Sequence, residues 1–148
     1  MSLPTITRRF EIDAGHRLME HGGKCKNYHG HRYVFEVSLS AMTIGADGMI
    51  VDFGIVKDVL GGWLDEHWDH GMILQTGDPL LALLKDPGSL LRSKVYEMTD
   101  PPTAENIVRA FAVVARTILP LHDVRAQVCH VRLYETPNCW SDYIPVAG

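Results

Sequence analysis

The chain has few of the features that mark secreted, membrane or nucleic-acid-binding proteins. Its three cysteines are an odd number without disulfide-like spacing, so we expect free thiols and a cytoplasmic protein. No apolar run approaches the roughly 20 residues that a membrane span needs. The net charge of −4 gives no reason to expect nucleic acid or an anionic membrane as a partner. The length of 148 residues and the 46% hydrophobic content predict one globular domain over residues 1–148.

Two stretches in which apolar and polar residues alternate predict the first two strands, over residues 5–16 and 29–41. Side chains two apart in a strand point to the same face, so each stretch has one apolar face. These faces carry Ile6, Phe10, Ile12, Ala14 and His16 in the first stretch, and His29, His31, Tyr33, Phe35, Val37, Leu39 and Ala41 in the second. Antiparallel pairing would bring the end of the first strand beside the start of the second.

The remainder of the chain predicts two helices and two further strands. Apolar residues recur at helical spacing over residues 55–67 and again from Thr103, an N-cap residue, to Pro120. Residues 125–135 alternate again, and residues 140–146 form a possible closing strand after a turn. Residues 76–101 predict a long connection with one helical turn. This order favours an α+β fold, a four-stranded antiparallel sheet with two helices on one face, whose exposed edges favour oligomerisation.

Three histidines share these apolar faces where the first two strands would meet. His16 closes the first strand, and His29 and His31 open the second, so one hairpin would bring three imidazoles together. Three neutral imidazoles with one coordination position left open are the ligand set of a catalytic zinc. Each histidine alone is more simply explained as a half-buried strand or loop residue. Their agreement in parity and position favours a metal site.

Cys25, Asp69, His70 and Glu135 are the other candidate chemical groups. Cys25 lies four residues before His29 and is either a surface thiol or a thiolate that serves as base or nucleophile. Asp69 and His70 follow the first helix, as a solvated helix end or as a proton carrier oriented by a carboxylate. Glu135 ends the apolar face of the third strand, where it is either exposed or an anchor for two adjacent donors of a ligand.

Several short motifs, taken in order, resemble one family of enzymes. They are FEIDAGH (10–16), CKNYHGH (25–31), VDF (51–53), WDH (68–70), PTAEN (102–106) and YET (134–136). Together they resemble the 6-pyruvoyltetrahydropterin synthase and 6-carboxytetrahydropterin synthase family over residues 10–136. The short spacing between Cys25 and His29 resembles the 6-carboxytetrahydropterin branch. The connection 74–101 is longer than in the shortest members, and Trp68 stands where many have Leu.

The resemblance implies a fold, an assembly and a reaction. The fold would be the tunnelling fold (T-fold), in which the sheets of several subunits join into a barrel. The assembly would be a homohexamer, a dimer of trimers with active sites between subunits. The reaction would convert 7,8-dihydroneopterin triphosphate to 6-carboxy-5,6,7,8-tetrahydropterin, with release of triphosphate and acetaldehyde, on the route to queuosine.

The resemblance also implies a role for each candidate residue. The ligands of a Zn²⁺ cofactor would be His16, His29 and His31. Cys25 would be the general base, and Asp69 and His70 would relay protons. Glu135 would bind the aminopyrimidinone edge of the pterin and join the same relay. Thr103 and Glu105 match the start of the helix at the pterin pocket.

Three other functions remain open from the sequence. The same fold could make 6-pyruvoyltetrahydropterin by eliminating triphosphate without cleaving the side chain. The chain could be a pterin- or zinc-binding module without turnover. It could also be a zinc hydrolase that uses metal-bound water and has no need of Cys25.

Overall fold

A computed structural model describes residues 3–146, and a six-stranded sheet forms the framework of this part of the chain. The strands are β1 (Thr5–His16), β2 (His29–Ser40), β3 (Gly71–Gln75), β4 (Val95–Met98), β5 (Gln127–Thr136) and β6 (Cys139–Tyr143). Their order across the sheet is β4-β3-β1-β2-β5-β6. The pairs β1–β2, β2–β5 and β5–β6 are antiparallel. β3 instead pairs in parallel with both β1 and β4.

The helices follow the predicted apolar stripes. The first is α1 (Phe53–Val56), which continues through a π-helical turn (Lys57–Gly61) into α2 (Gly62–His67). A short helix, α3 (Leu80–Lys85), and a long one, α4 (Ala104–Leu121), come later in the chain. No helix in residues 3–146 has the length and apolarity to cross a membrane.

The main core lies between one face of the sheet and the helices α1, α2 and α4. It joins the alternating apolar residues of β1 and β2 to buried helix residues. The largest of these buried side chains are Tyr33, Phe35, Trp68 and Phe111. Burial of this apolar area is the dominant favourable term for the fold. The predicted α+β class, with two main helices on one face of the sheet, is confirmed.

The sheet has two more strands than the sequence pattern predicts. β3 and β4 are five and four residues long, too short to show a clear period of two. β3 lies just before the predicted connection over residues 76–101, β4 lies near its end, and α3 crosses between them, as a parallel pair requires. Leu74, Leu81 and Leu84 form a small second core under this unit. Residues 71–98 are therefore an ordered β-α-β unit, not only a connection with one helical turn.

Two element ends also differ from the predictions. Pro120 was expected to stop its helix, but α4 runs to Leu121 and includes it. Pro120 lacks an N–H and its ring crowds the preceding turn, so α4 continues for only one more residue and is closed by bonds such as His122 N–H to Leu119 O (3.0 Å). The closing strand begins at Cys139 and ends at Tyr143, three residues before the predicted end.

Candidate active site

The β1–β2 hairpin brings the three histidines together, as their parity predicts. His16 lies directly opposite His29 in the ladder, and His31 lies two residues further along the same face of β2. The ring centroids are 4.6 Å apart for His16–His29, 5.1 Å for His16–His31 and 5.0 Å for His29–His31. One ligand nitrogen from each ring lies within 4.8 Å of the other two. The three residues thus form a group that could hold a metal ion.

The hydrogen bonds of this group fit a shared cation. His16 Nδ1 lies 2.7 Å from the carbonyl of Pro102, and His29 Nδ1 lies 2.7 Å from the carbonyl of Asn27. A carbonyl only accepts, so each Nδ1 carries a proton, and in this tautomer of the neutral ring the lone pair is at Nε2. These two Nε2 atoms are 3.1 Å apart, close to the ~3.3 Å between nitrogens bound to one tetrahedral zinc. Two facing lone pairs repel each other, and a cation between them removes the repulsion.

His31 completes the group with an unpaired nitrogen. Its Nε2 is buried and has no hydrogen-bond partner within residues 3–146. Such an atom costs roughly 1–3 kcal/mol unless something satisfies it. Burial lowers the pKa of both His16 and His31, which favours the neutral imidazole that a metal requires. The three imidazoles therefore fit the ligand set of zinc.

Glu135 and Tyr33 border the histidine group from the strand side. Glu135 Oε1 lies 3.7 Å from His31 Nε2, as the parity of β5 predicts. The Tyr33 ring meets His16 and His31 edge-on, with centroids 5.8 and 5.5 Å away. Its hydroxyl is buried without a hydrogen-bond partner in the described residues. Burial, with Glu135 and Cys25 nearby, raises the pKa of Tyr33, so the hydroxyl stays protonated.

Sequence reasoning missed this hydroxyl. The parity of β2 places Tyr33 on the core face, where an aromatic ring needs no special explanation. Nothing in the pattern shows that its oxygen faces polar groups, because that depends on strands β2 and β5 lying side by side. The available signal was its position two residues after His31.

Cys25 lies in the loop that joins β1 to β2, within a short 3₁₀ turn (Lys24–Lys26). It is half-buried, and its carbonyl accepts a hydrogen bond from the Leu18 amide (2.8 Å). An anionic Cys25 would help to raise the pKa of Tyr33, so the thiol lies within electrostatic range of that hydroxyl. Within the described part of the chain, Cys25 belongs to neither of the two clusters close enough to share a metal. It is therefore not a fourth ligand of the histidine group.

Asp69 and His70 form the predicted pair. Asp69 Oδ2 lies 2.9 Å from His70 Nδ1, and Asp69 Oδ1 accepts a hydrogen bond from the Asp13 amide (2.9 Å). Burial opposes the change, but these hydrogen bonds together lower the pKa of Asp69 below its usual value. His70 has a left-handed backbone (φ 59°), an uncommon conformation for a residue other than glycine, and its side chain is 75% exposed.

The Asp69–His70 pair lies on the other side of β1 from the three histidines. The polar atoms of Asp13, Asp69 and His70 all lie within 4.8 Å of one another. Asp13 alternates with Ala14 and His16 along β1, so its side chain points away from the histidine face. One chain therefore does not bring His70 to its own histidine group.

Thr103 and Glu105 lie at the start of α4, as expected. The Thr103 hydroxyl accepts a hydrogen bond from the Asn106 amide (3.2 Å) and caps the helix. Glu105 is exposed in the first turn. Pro102, which precedes Thr103, contacts the site more directly, because its carbonyl oxygen lies 2.7 Å from His16 Nδ1.

The fold and the site define a class of protein: an α+β protein in which a β-hairpin carries three histidines that could hold a metal ion. The chain belongs to the 6-pyruvoyl tetrahydropterin synthase family, whose model matches residues 5–145. The resemblance found in the motifs is thereby confirmed.

Known relatives agree in sequence and in fold. A 6-carboxy-5,6,7,8-tetrahydropterin synthase of Rickettsia bellii is 42% identical over 140 residues, covering 90% of this chain and 95% of that protein. An uncharacterized protein of Wolinella succinogenes has a TM-score of 0.81 at 22% identity, covering 97% of this chain and 99% of its own. The 6-pyruvoyl tetrahydropterin synthase of Caenorhabditis elegans has a TM-score of 0.69 at 24% identity, covering 99% and 98%. These two structures share the fold.

Proposed function

We propose that this chain is a zinc-dependent lyase that converts 7,8-dihydroneopterin triphosphate to 6-carboxy-5,6,7,8-tetrahydropterin, with release of acetaldehyde and triphosphate. The observation that carries the proposal is the group formed by His16, His29 and His31, whose ring nitrogens lie within 4.8 Å of one another and include the unpaired, buried Nε2 of His31. The product is inferred from the Rickettsia bellii relative of that name, at 42% identity over nearly all of both chains.

The candidate site residues fall into two groups: those that would bind the metal or the substrate and those that would transfer protons. His16, His29 and His31 would hold zinc, which when bound supplies a Lewis acid for the hydroxyls of the substrate's side chain. The Glu135 carboxylate, beside His31, would accept hydrogen bonds from two adjacent N–H donors of the pterin. The Cys25 thiolate would take a proton from the side chain of the substrate.

Asp69 and His70 would move protons on and off the substrate. The Asp69 carboxylate accepts a hydrogen bond from His70 Nδ1, so the other ring nitrogen, Nε2, is the one that would give or take a proton. Lys94 supports this turn, because its Nζ donates to the carbonyls of Asp65 and Asp69, both at 2.7 Å. The high exposure of His70 suits a group that completes a site on a neighbouring chain.

We therefore propose that the active site forms between two copies of the chain. The support is the separation of the histidine group and His70 by β1, together with the sheet edges β4 and β6, which pair on one side only among the described residues. Paired edges would close sheets of several subunits into a barrel, and a homohexamer of two trimers is the assembly we propose.

The reaction is tested by incubating zinc-loaded protein with 7,8-dihydroneopterin triphosphate. We expect acetaldehyde and triphosphate in equal amounts, with metal analysis giving one zinc per chain. Cys25→Ala should abolish turnover and leave zinc bound. Triphosphate without acetaldehyde would contradict the proposal, and 6-pyruvoyltetrahydropterin among the products would identify the pyruvoyl reaction. Zinc binding without turnover would indicate a binding module, and full activity in Cys25→Ala would indicate a hydrolase that depends on the metal alone.

The shared site is tested by mixing two inactive variants, Cys25→Ala and His70→Ala, under conditions that exchange subunits. If each site takes Cys25 from one chain and His70 from another, random mixing restores about a quarter of the sites. Each variant alone is the control. No recovery in mixed hexamers would mean that both residues act within one chain.

We also propose that residues 1–148 act as one domain in the cytoplasm, with no nucleic acid or membrane partner, and that the product enters queuosine synthesis. The three cysteines are free thiols, which supports a reducing compartment. Deleting the gene should remove queuosine from tRNA, and the wild-type gene should restore it. Restoration by Cys25→Ala would contradict this assignment.

A further inference from the structure

A buried carboxylate in the β3–α3 connection contacts both ends of the loop that carries Cys25. The Asp78 side chain is 0% exposed. It accepts hydrogen bonds from Arg17 Nε (2.7 Å), Tyr28 Oη (2.6 Å) and the Leu80 amide (3.0 Å). The Arg17 guanidinium also stacks on the Tyr28 ring, 4.4 Å from its centroid. We call Arg17, Tyr28 and Asp78 the clasp.

The clasp lies next to the proposed metal ligands along the chain. Arg17 directly follows His16, and Tyr28 directly precedes His29. One carboxylate therefore joins the two ends of the loop 17–28 at the points where it leaves β1 and enters β2. Any change in the spacing of these ends would be passed on to both histidines and to Cys25 between them.

Apart from the clasp, the loop has little support. Residues 20–24 are exposed and include two adjacent glycines. Its remaining ties among the described residues are backbone hydrogen bonds within the loop itself, such as those from the Leu18 amide to the Cys25 carbonyl and from the His21 amide to the Leu18 carbonyl. Glycine-rich exposed segments lose the most conformational entropy when they are ordered.

The clasp is built to stay ionised and paired. Burial alone would favour the neutral acid, but hydrogen bonds from Arg17 and Tyr28 outweigh it and hold the pKa of Asp78 below its usual value. Buried ion pairs add little net stability but can enforce one arrangement of the groups they join. An exposed ion pair could not do this, because water competes for each partner.

We propose that Asp78 is a positioning residue, which acts through Arg17 and Tyr28 to set the place of the Cys25 thiol relative to the histidine group. The inference rests on the proposed function for the roles of Cys25 and the histidines. The segment between β3 and β4, which contains Asp78, would then help to position the active site as well as complete the sheet.

The test uses Tyr28→Phe and Asp78→Ala in the zinc-loaded full chain. Tyr28→Phe is the safer variant, because Tyr28 is 43% exposed and the Arg17–Asp78 pair remains. The matched control is Glu97→Gln, which breaks the exposed Lys85–Glu97 pair in the same connection without touching the loop. Alkylation of Cys25 by iodoacetamide is followed by mass spectrometry in the folded protein and, as the reference rate, in the same chain unfolded in urea.

We expect the ratio of the folded to the unfolded rate of Cys25 alkylation to rise several-fold in both clasp variants, because a loosened loop exposes its thiol. If the clasp only added to the global stability of the fold, the variants would still be folded under native conditions and this ratio would not change. kcat should fall roughly 10- to 100-fold with KM nearly unchanged, since a base displaced by about 1 Å loses reaction rate. Glu97→Gln should match the wild type in both measurements.

An unchanged alkylation ratio in Tyr28→Phe would overturn the proposal, and so would a wild-type kcat in that variant. If Asp78→Ala fails to fold, Tyr28→Phe still gives the answer. If the wild-type chain itself lacks turnover, the proposed function fails, but the alkylation ratio still tests the clasp separately.

Discussion

Zinc binding should stabilise this protein against unfolding, and replacing His31 by alanine should remove that effect. At free zinc about 100-fold above Kd, binding to the folded state alone contributes ~2.7 kcal/mol. For a chain of this size each kcal/mol raises Tm by about 2–4 °C, so the shift is about 5–10 °C. Without metal, His31→Ala removes a buried nitrogen that has no partner in residues 3–146, so its cost is below about 1 kcal/mol.

Thermal unfolding of chelator-treated protein, with and without added zinc, measures both quantities. His122→Ala is the matched control, because His122 is an exposed histidine at the end of α4 and away from the hairpin. It should keep the full shift, while His31→Ala keeps little of it. Equal shifts in these two variants would refute the reasoning, since zinc would then act at some other site.

Three further predictions follow from single contacts. Tyr33→Phe should raise the stability of the metal-free chain by about 1 kcal/mol in urea unfolding, because it removes a partnerless buried hydroxyl; a loss would mean that the hydroxyl is bonded. Thr103→Ala should cost about 1 kcal/mol by removing the cap of α4, with Thr117→Ala as a mid-helix comparison. The pKa of Asp78 is lowered in the folded state, so its ionised carboxylate stabilises the fold above about pH 4 and this stabilisation is lost below it. The difference in free energy of unfolding between the wild type and Asp78→Ala, measured in urea, should therefore shrink between about pH 5 and about pH 3. A difference that stays constant would contradict this.

The histidine group could be predicted because it depends on local rules. Side chains in a strand alternate, and a hairpin joins the end of one strand to the start of the next, so His16, His29 and His31 meet without help from distant elements. The same rule placed Glu135 on the histidine face. The stripes of α1, α2 and α4 are equally local, since their period of 3.6 is long enough to detect.

Contacts between distant segments were beyond reach from sequence patterns. β3 and β4 are short strands whose pairing depends on the exposed edge of β1. The Asp78 clasp joins residues 50 and 61 positions apart. The position of His70 across β1 from the three histidines follows from a turn held by Asp13.

The residues themselves were sufficient for the hairpin, its three converging imidazoles and the α+β class, because short-range periodicity dictates all of them. Packing in three dimensions set which buried polar atoms have partners, which side of the sheet each acid or base faces, and how a remote carboxylate secures the Cys25 loop. Those features depend on strand neighbours and long-range hydrogen bonds, which leave no regular spacing along the chain.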